Sequence, residues 1–199
     1  MRQRGFSLVE IAIVLVIISL ILLAVLNSQG LIGSAKAKDV VTIVNDLRTA
    51  TTLFKNRYNY LPGDLPLPSG ELAGITNVGN GDGKIDGTMD AQGVVLVSSE
   101  AEAVPAQLYA AGLIGKINNN RITTDYGSVT LVSSETADGL VSGFAAANTL
   151  TRNAIIFYNM PCDVVTEVDN KIDDGNSAAG RARGTACTNN FIQWYAVAL

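Results

Sequence analysis

Apolar positions are unevenly spread along this sequence. From Phe6 to Leu26 only Ser7, Glu10 and Ser19 interrupt them, and no charge occurs after Glu10. Such a run has the roughly 20 residues that cross a hydrocarbon core about 30 Å thick as a helix. It predicts a membrane span over 6–26. Arg2 and Arg4 precede the run and keep that end in the cytoplasm, which sends the C-terminal bulk across the membrane. From Lys36 to Tyr58 the pattern changes: Val40, Ile43, Val44, Leu47, Phe54 and Tyr58, with Ala50 and Thr51 between them, recur at helical spacing. This second half, over 27–60, should lay one face against a soluble domain. Gly30 and Gly33 lie between the halves and lower helix propensity by ~1 kcal/mol each, so the pattern permits local melting there. Tyr60-Leu61-Pro62-Gly63-Asp64 then stops the helix and turns the chain, ending a rod over 6–58 of roughly 80 Å.

Beyond the rod, 61–199 reads as one globular domain. Ser98 to Gly112 predicts a short helix between serine and glycine, kinked by Pro105 or confined to its second half. Ser128 to Ser133 alternates like a half-buried strand, and Ala154 to Tyr158 is a denser apolar strand; the two are expected to be antiparallel neighbours. Asp163 to Ile172 predicts a helix closed by Asp173-Asp174-Gly175 with glycine as the cap, and Phe191 to Val197 supplies a last strand. The predicted fold is α+β, a long N-terminal helix packed on a small antiparallel sheet.

The net charge of −4 hides an asymmetry. Residues 1–58 carry seven basic against three acidic residues, while 59–199 carry seven against fifteen. An acidic globular part lacks the clustered Lys and Arg of a broad nucleic-acid surface. Histidine is absent, which removes the commonest general base and transition-metal ligand. Cys162 and Cys187 lie in the exported part, where a disulfide is the natural pairing and two free thiols the alternative. Their spacing rules out a C-x-x-C redox motif.

Glu10 is the anomaly of the apolar run. A carboxylate inside a spanning helix costs a few kcal/mol and is usually paired, although near the helix start an anion also suits the dipole. The surrounding Gly5-Phe6-Ser7-Leu8-Val9-Glu10, behind a short basic leader and before an unbroken apolar stretch, resembles the processing motif of type IV prepilins and type II secretion pseudopilins. That resemblance implies a pilin-like fold and cleavage between Gly5 and Phe6 by a prepilin peptidase. Leader 1–5 would be lost and the new Phe6 amine methylated. It further implies that Glu10 meets the N-terminal amine of a neighbouring subunit during filament assembly, two opposite charges attracting strongly where water is scarce. The implied partners are other copies of the chain, the peptidase and an inner-membrane assembly platform. The implied location is a single-pass inner-membrane protein with a periplasmic C-terminal domain, later a periplasmic or extracellular filament. Tyr60 to Asp64, Ala111-Gly112-Leu113-Ile114 and the stretch from Asp169 to Arg183 also resemble a subset of pilin-like proteins. A secretory signal peptide would instead be cut after its apolar core, and no small-residue cleavage site follows Leu26.

One loop carries separate candidate chemistry. In Gly79 to Gly87 the oxygen-bearing Asn80, Asp82 and Asp86 alternate with glycines, as calcium ligands do on a tight loop. An EF-hand register with Gly83 sixth puts Val78 first and Met89 last, where acids are needed, so that match fails. Two readings stand: a turn built from turn-forming residues, or a calcium site of another kind. The acids from Asp169 to Asp174 allow the same pair, a capped surface helix or a cation site. Two functional classes compete with a filament subunit: a membrane-tethered ligand-binding module, and an anchored enzyme. Neither a nucleophile motif nor a metal-ligand spacing supports the enzyme.

Overall fold

The computed structural model describes residues 7–66, 79–96, 99–115, 117–118 and 121–199, with the backbone alone described over 24–32. Its first element, α1 (Leu8–Tyr58), is one continuous helix of 51 residues, about 75 Å long. It is helical through Gly30 and Gly33, so the melting that two glycines permit does not occur. At its C-terminal end, Asn59 takes the left-handed conformation (φ 63°) and donates its N–H to Lys55 O at 2.8 Å. Pro62 and Gly63 then carry the chain away, as their turn chemistry predicts.

The two halves of α1 meet different surroundings. Every described side chain from Leu8 to Leu23 is exposed. Ala37, Val40, Val44, Leu47, Ala50, Thr51 and Phe54 are instead buried, one face of the second half. Among the described residues no helix is long and apolar enough to cross a membrane. This departs from the span expected over 6–26. Phe6 lies outside the described residues and the described side chains stop at Leu23, leaving an apolar stretch shorter than the roughly 20 residues a span needs.

The head opens with α2 (Glu100–Ala110), whose Ser99 cap accepts the N–H of Glu102. Here the sequence expectation is corrected: the helix begins ahead of Pro105 and runs through it. Pro105 is buried with Ala101, Val104 and Leu108, and burial of that face outweighs the one missing N–H. A hairpin follows, β1 (Ile122–Thr124) and β2 (Gly127–Ser133), then the short helices α3 (Ser134–Leu140) and α4 (Phe144–Ala147). Next come β3 (Asn153–Pro161), α5 (Cys162–Ile172), β4 (Arg183–Gly184), β5 (Cys187–Thr188) and β6 (Phe191–Ala198). The sheet is antiparallel throughout, in the order β1-β2-β3-β6-β4, with β5 also paired to β6. This is the expected α+β, pilin-like architecture.

Strand β2 is not half-buried as its alternation predicts. Val129, Thr130, Leu131, Val132 and Ser133 are all buried. Successive strand residues point to opposite faces, so both faces are covered. The core joins the inner face of α1 to α2, α5, Phe157 and Tyr195. Two links fix α5 on the sheet. At its start, Cys162 is disulfide-bonded to Cys187 on β5 with the Cα atoms 5.9 Å apart. In the chain-entropy model a loop of this size contributes roughly 3 to 4 kcal/mol. Further along, the Tyr195 hydroxyl donates to Asp169 Oδ1 at 2.9 Å, and both residues are fully buried. The helix is capped by Asp173, not by Gly175, which lies two residues further on.

Burial raises the pKa of the Asp169 carboxyl; the Tyr195 hydroxyl opposes this, while nearby Asp173 and Asp174 add to it. Such a group stabilises the fold when protonated. Its contribution is fully present below about pH 4 and is lost as pH rises through the higher folded-state value. Burial raises Asp64 and Glu100 as well. Melting temperature should therefore fall as pH rises above the ordinary carboxylate range. Asp169→Asn keeps an acceptor for Tyr195, and thermal melts should show it flattening that decline by a few degrees. An undiminished slope in the variant would contradict the assignment to Asp169.

Candidate functional site

The processing and assembly residues sit where α1 begins. Gly5 and Phe6, on either side of the expected cut, lie outside the described residues. Ser7 is the N-cap of α1, and its Oγ accepts the N–H of Val9 at 3.3 Å. Glu10 stands three residues on, and its Oε2 accepts the Ser7 N–H at 2.8 Å. Ser7 and Glu10 thus form a capping box, each side chain reaching the other's end of the first turn. The Glu10 carboxylate is folded toward the N-terminus of its own helix. The polar Ser19 turns its hydroxyl onto Leu15 O at 2.7 Å, so it presents no free donor to the surroundings. What remains outward over 8–23 is an apolar surface with one carboxylate near its end.

The other candidate, the loop after the helix, is built around carboxylates that accept main-chain N–H groups. Every backbone N–H from Asn80 to Asp86 donates to a side-chain oxygen. Asp64 takes three of them: Oδ1 accepts from Gly81 at 2.6 Å and Asp82 at 3.1 Å, and Oδ2 from Gly83 at 2.8 Å. Glu100 takes two, Asn80 and Asp86, both at 2.9 Å. Asp82 Oδ1 accepts the Lys84 N–H and Asn153 Oδ1 the Ile85 N–H, both at 2.8 Å. Gly81 and Gly83 adopt positive φ of 79° and 85°, which aims successive N–H groups inward. Asp64 itself is 1% exposed, and burial raises its pKa against the lowering effect of these donors.

This geometry assigns parts to the three suggested calcium ligands. Asn80 Oδ1 accepts the Asp82 N–H at 2.8 Å, so Asn80 and Asp82 both serve in local turns, and Asp86 stays exposed. Among the described residues no group of three or more Asp, Glu, Cys or His side chains is placed to hold a metal ion. Among the acids of 169–174, Asp169 is sealed against Tyr195. Asp173 Oδ2 accepts the N–H groups of Arg181 and Ala182. Sequence reasoning missed Ser7 and Asp64. The Ser-x-x-Glu spacing was a readable signal for Ser7; Asp64 gave none, because its partners lie 17 to 19 residues further on.

Residues 1–26 match the family model described as the prokaryotic N-terminal methylation motif, the signal of type IV prepilins and pseudopilins. No curated protein and no solved structure matches the chain significantly. The motif implies processing by a prepilin peptidase and polymerisation into filaments.

Two outcomes are expected of the loop. Asp64→Ala leaves the Gly81 and Gly83 N–H groups without their acceptor, while Asp82 keeps Asn80 Oδ1, and should lower stability by about 1 to 3 kcal/mol in denaturant melts, well beyond the effect of Asp86→Ala. EDTA should leave the melting temperature unchanged, because the loop closes on its own carboxylates; a fall on chelation would support the calcium reading.

Proposed function

We propose that the chain is a structural subunit of a type IV pilus or pilus-like filament, anchored in the inner membrane until its helix joins the filament core. The observation that carries this reading is the coincidence of the methylation motif over 1–26 with a rod whose first half is apolar and exposed. An apolar surface over 8–23 needs either lipid or the rods of other copies around it. The peptidase would cut between Gly5 and Phe6 and methylate the Phe6 amine. The acidic globular head would be periplasmic, and later part of a periplasmic or extracellular filament. The inner-membrane assembly platform would lift the chain out of the bilayer.

Glu10 supports this reading through its geometry. The capping box holds the Glu10 carboxylate at the first turn of the helix, where the amine of a neighbouring subunit would arrive. In surroundings poor in water that pairing is strong, and the unpaired carboxylate is costly. A pseudopilin of a secretion system, or a minor tip subunit, would carry the same features. A tethered binding module would not need a leader of this form.

Intact mass of the protein produced with its prepilin peptidase tests the reading. Wild type should lose Met1 to Gly5 and gain one methyl group, whereas Gly5→Ala should remain whole. An unprocessed wild-type chain would favour the tethered module. Glu10→Gln keeps an acceptor for the Ser7 N–H and loses only the charge. It should be processed normally yet give about tenfold less filament, equivalent to ~1.4 kcal/mol. Normal yields of sheared filament from that variant would remove the pairing role.

A further inference from the structure

Cations gather at one place on an otherwise acidic head. An open cleft of about 730 Å³ lies between the second half of α1 and the neighbouring ends of β3 and β6. Arg48, Lys55, Arg152 and Arg181 all line it. Arg48 and Arg181 also border an adjoining cavity of about 230 Å³. Among the described residues the ion pairs are Lys84 with Glu135 and Lys171 with Glu167, so none of the four lining cations is in a close ion pair, although Arg152 is near enough to Glu135 to help lower its pKa.

Their hydrogen bonds do not neutralise them either. Arg48, half-buried, donates from Nη2 to Ala198 O at 2.7 Å, and Arg152 donates from Nη1 to Asp82 O at 3.1 Å. Asp173 borders the smaller cavity, but its Oδ2 accepts the backbone N–H groups of Arg181 and Ala182 and forms no ion pair with a guanidinium. Burial and the neighbouring Arg181 both hold the Arg48 pKa below its ordinary value. Thr51, on the same wall, is 4% exposed and its hydroxyl has no partner among the described residues.

We propose that this cleft binds a small oxyanion of the phosphate or carboxylate type, held between the guanidinium groups of Arg48 and Arg181. Guanidinium presents paired donors that match two oxygens of either group. An anion between the two arginines converts a repulsion into two attractions. Lys55 and Arg152, both exposed, extend the positive field and favour capture. The cleft has room for an organic acid or a phosphate ester, and the polar wall around Thr51 suits one.

The full-length protein in detergent micelles is the material for the test. Thermal melts would be recorded while inorganic phosphate or succinate replaces chloride at constant ionic strength. A saturable rise in melting temperature is expected with at least one of the two, and the tighter-binding probe distinguishes phosphate from carboxylate ligands. Arg181 is exposed and its guanidinium makes no hydrogen bond among the described residues, so Arg181→Gln should fold normally. It should raise the half-saturating concentration about tenfold. Arg152→Gln should do so more weakly, and Lys171→Gln, outside the cleft, not at all. No shift at constant ionic strength, or an equal shift in wild type and Arg181→Gln, would overturn the proposal. Loss of filaments in Arg181→Gln without any anion-dependent shift would also overturn it, assigning the cleft to contact between copies.

Discussion

One hydrogen-bonded ladder has to serve two surroundings, and the rest of the structure depends on how α1 does so. A helix satisfies its backbone internally, so the same 51-residue element continues from an apolar exposed half into an amphipathic half without a break. Only the side chains change. At the start Ser7 and Glu10 take up N–H groups that the ladder leaves over, and at the end Asn59 returns its N–H to Lys55. Ser19 is satisfied within its own turn. Among the described side chains of the apolar half, the one charged group is the Glu10 carboxylate, which is why the proposed assembly contact falls on it.

The head is attached to this rod by contacts that begin directly where the helix ends. Asp64 follows the Pro62-Gly63 turn and gathers three loop N–H groups. Gly63 donates its own N–H to Gln107 on α2 at 2.7 Å. Arg57, in the last turn, donates to Ala111 O at 3.0 Å just past α2. The helix terminus, the loop and α2 thus form one continuous hydrogen-bonded unit, and α5 with its disulfide holds the opposite part of the sheet to the same rod.

Much of this was legible in the sequence, and the exceptions have physical reasons. The end of α1, its buried face, β3, β6 and α5 were readable because each rests on local periodicity or on Pro-Gly punctuation. The disulfide followed from two cysteines in a part of the chain expected to be exported. The double-sided burial of β2 was hidden, because Thr130 and Ser133 look like solvent-facing residues until something covers them. The short elements β1, α3 and α4 depend on pairing and packing with distant segments, which local pattern does not record. In the loop the acids were visible but their direction of action was not. Oxygens at Asp82 and Asn80 suit a cation and suit main-chain N–H groups equally, and the approach of Asp64 and Glu100 to the loop N–H groups comes from segments that local pattern does not connect.

The sheet ends in very short strands, three residues in β1 and two in β4. Unpaired strand edges are templates for edge-to-edge association, and identical heads held side by side would sit at high local concentration. Ladders this brief offer another copy few backbone groups to pair with. A surface crowded with such heads can therefore stay in register through its helices without its sheets fusing into cross-β aggregate.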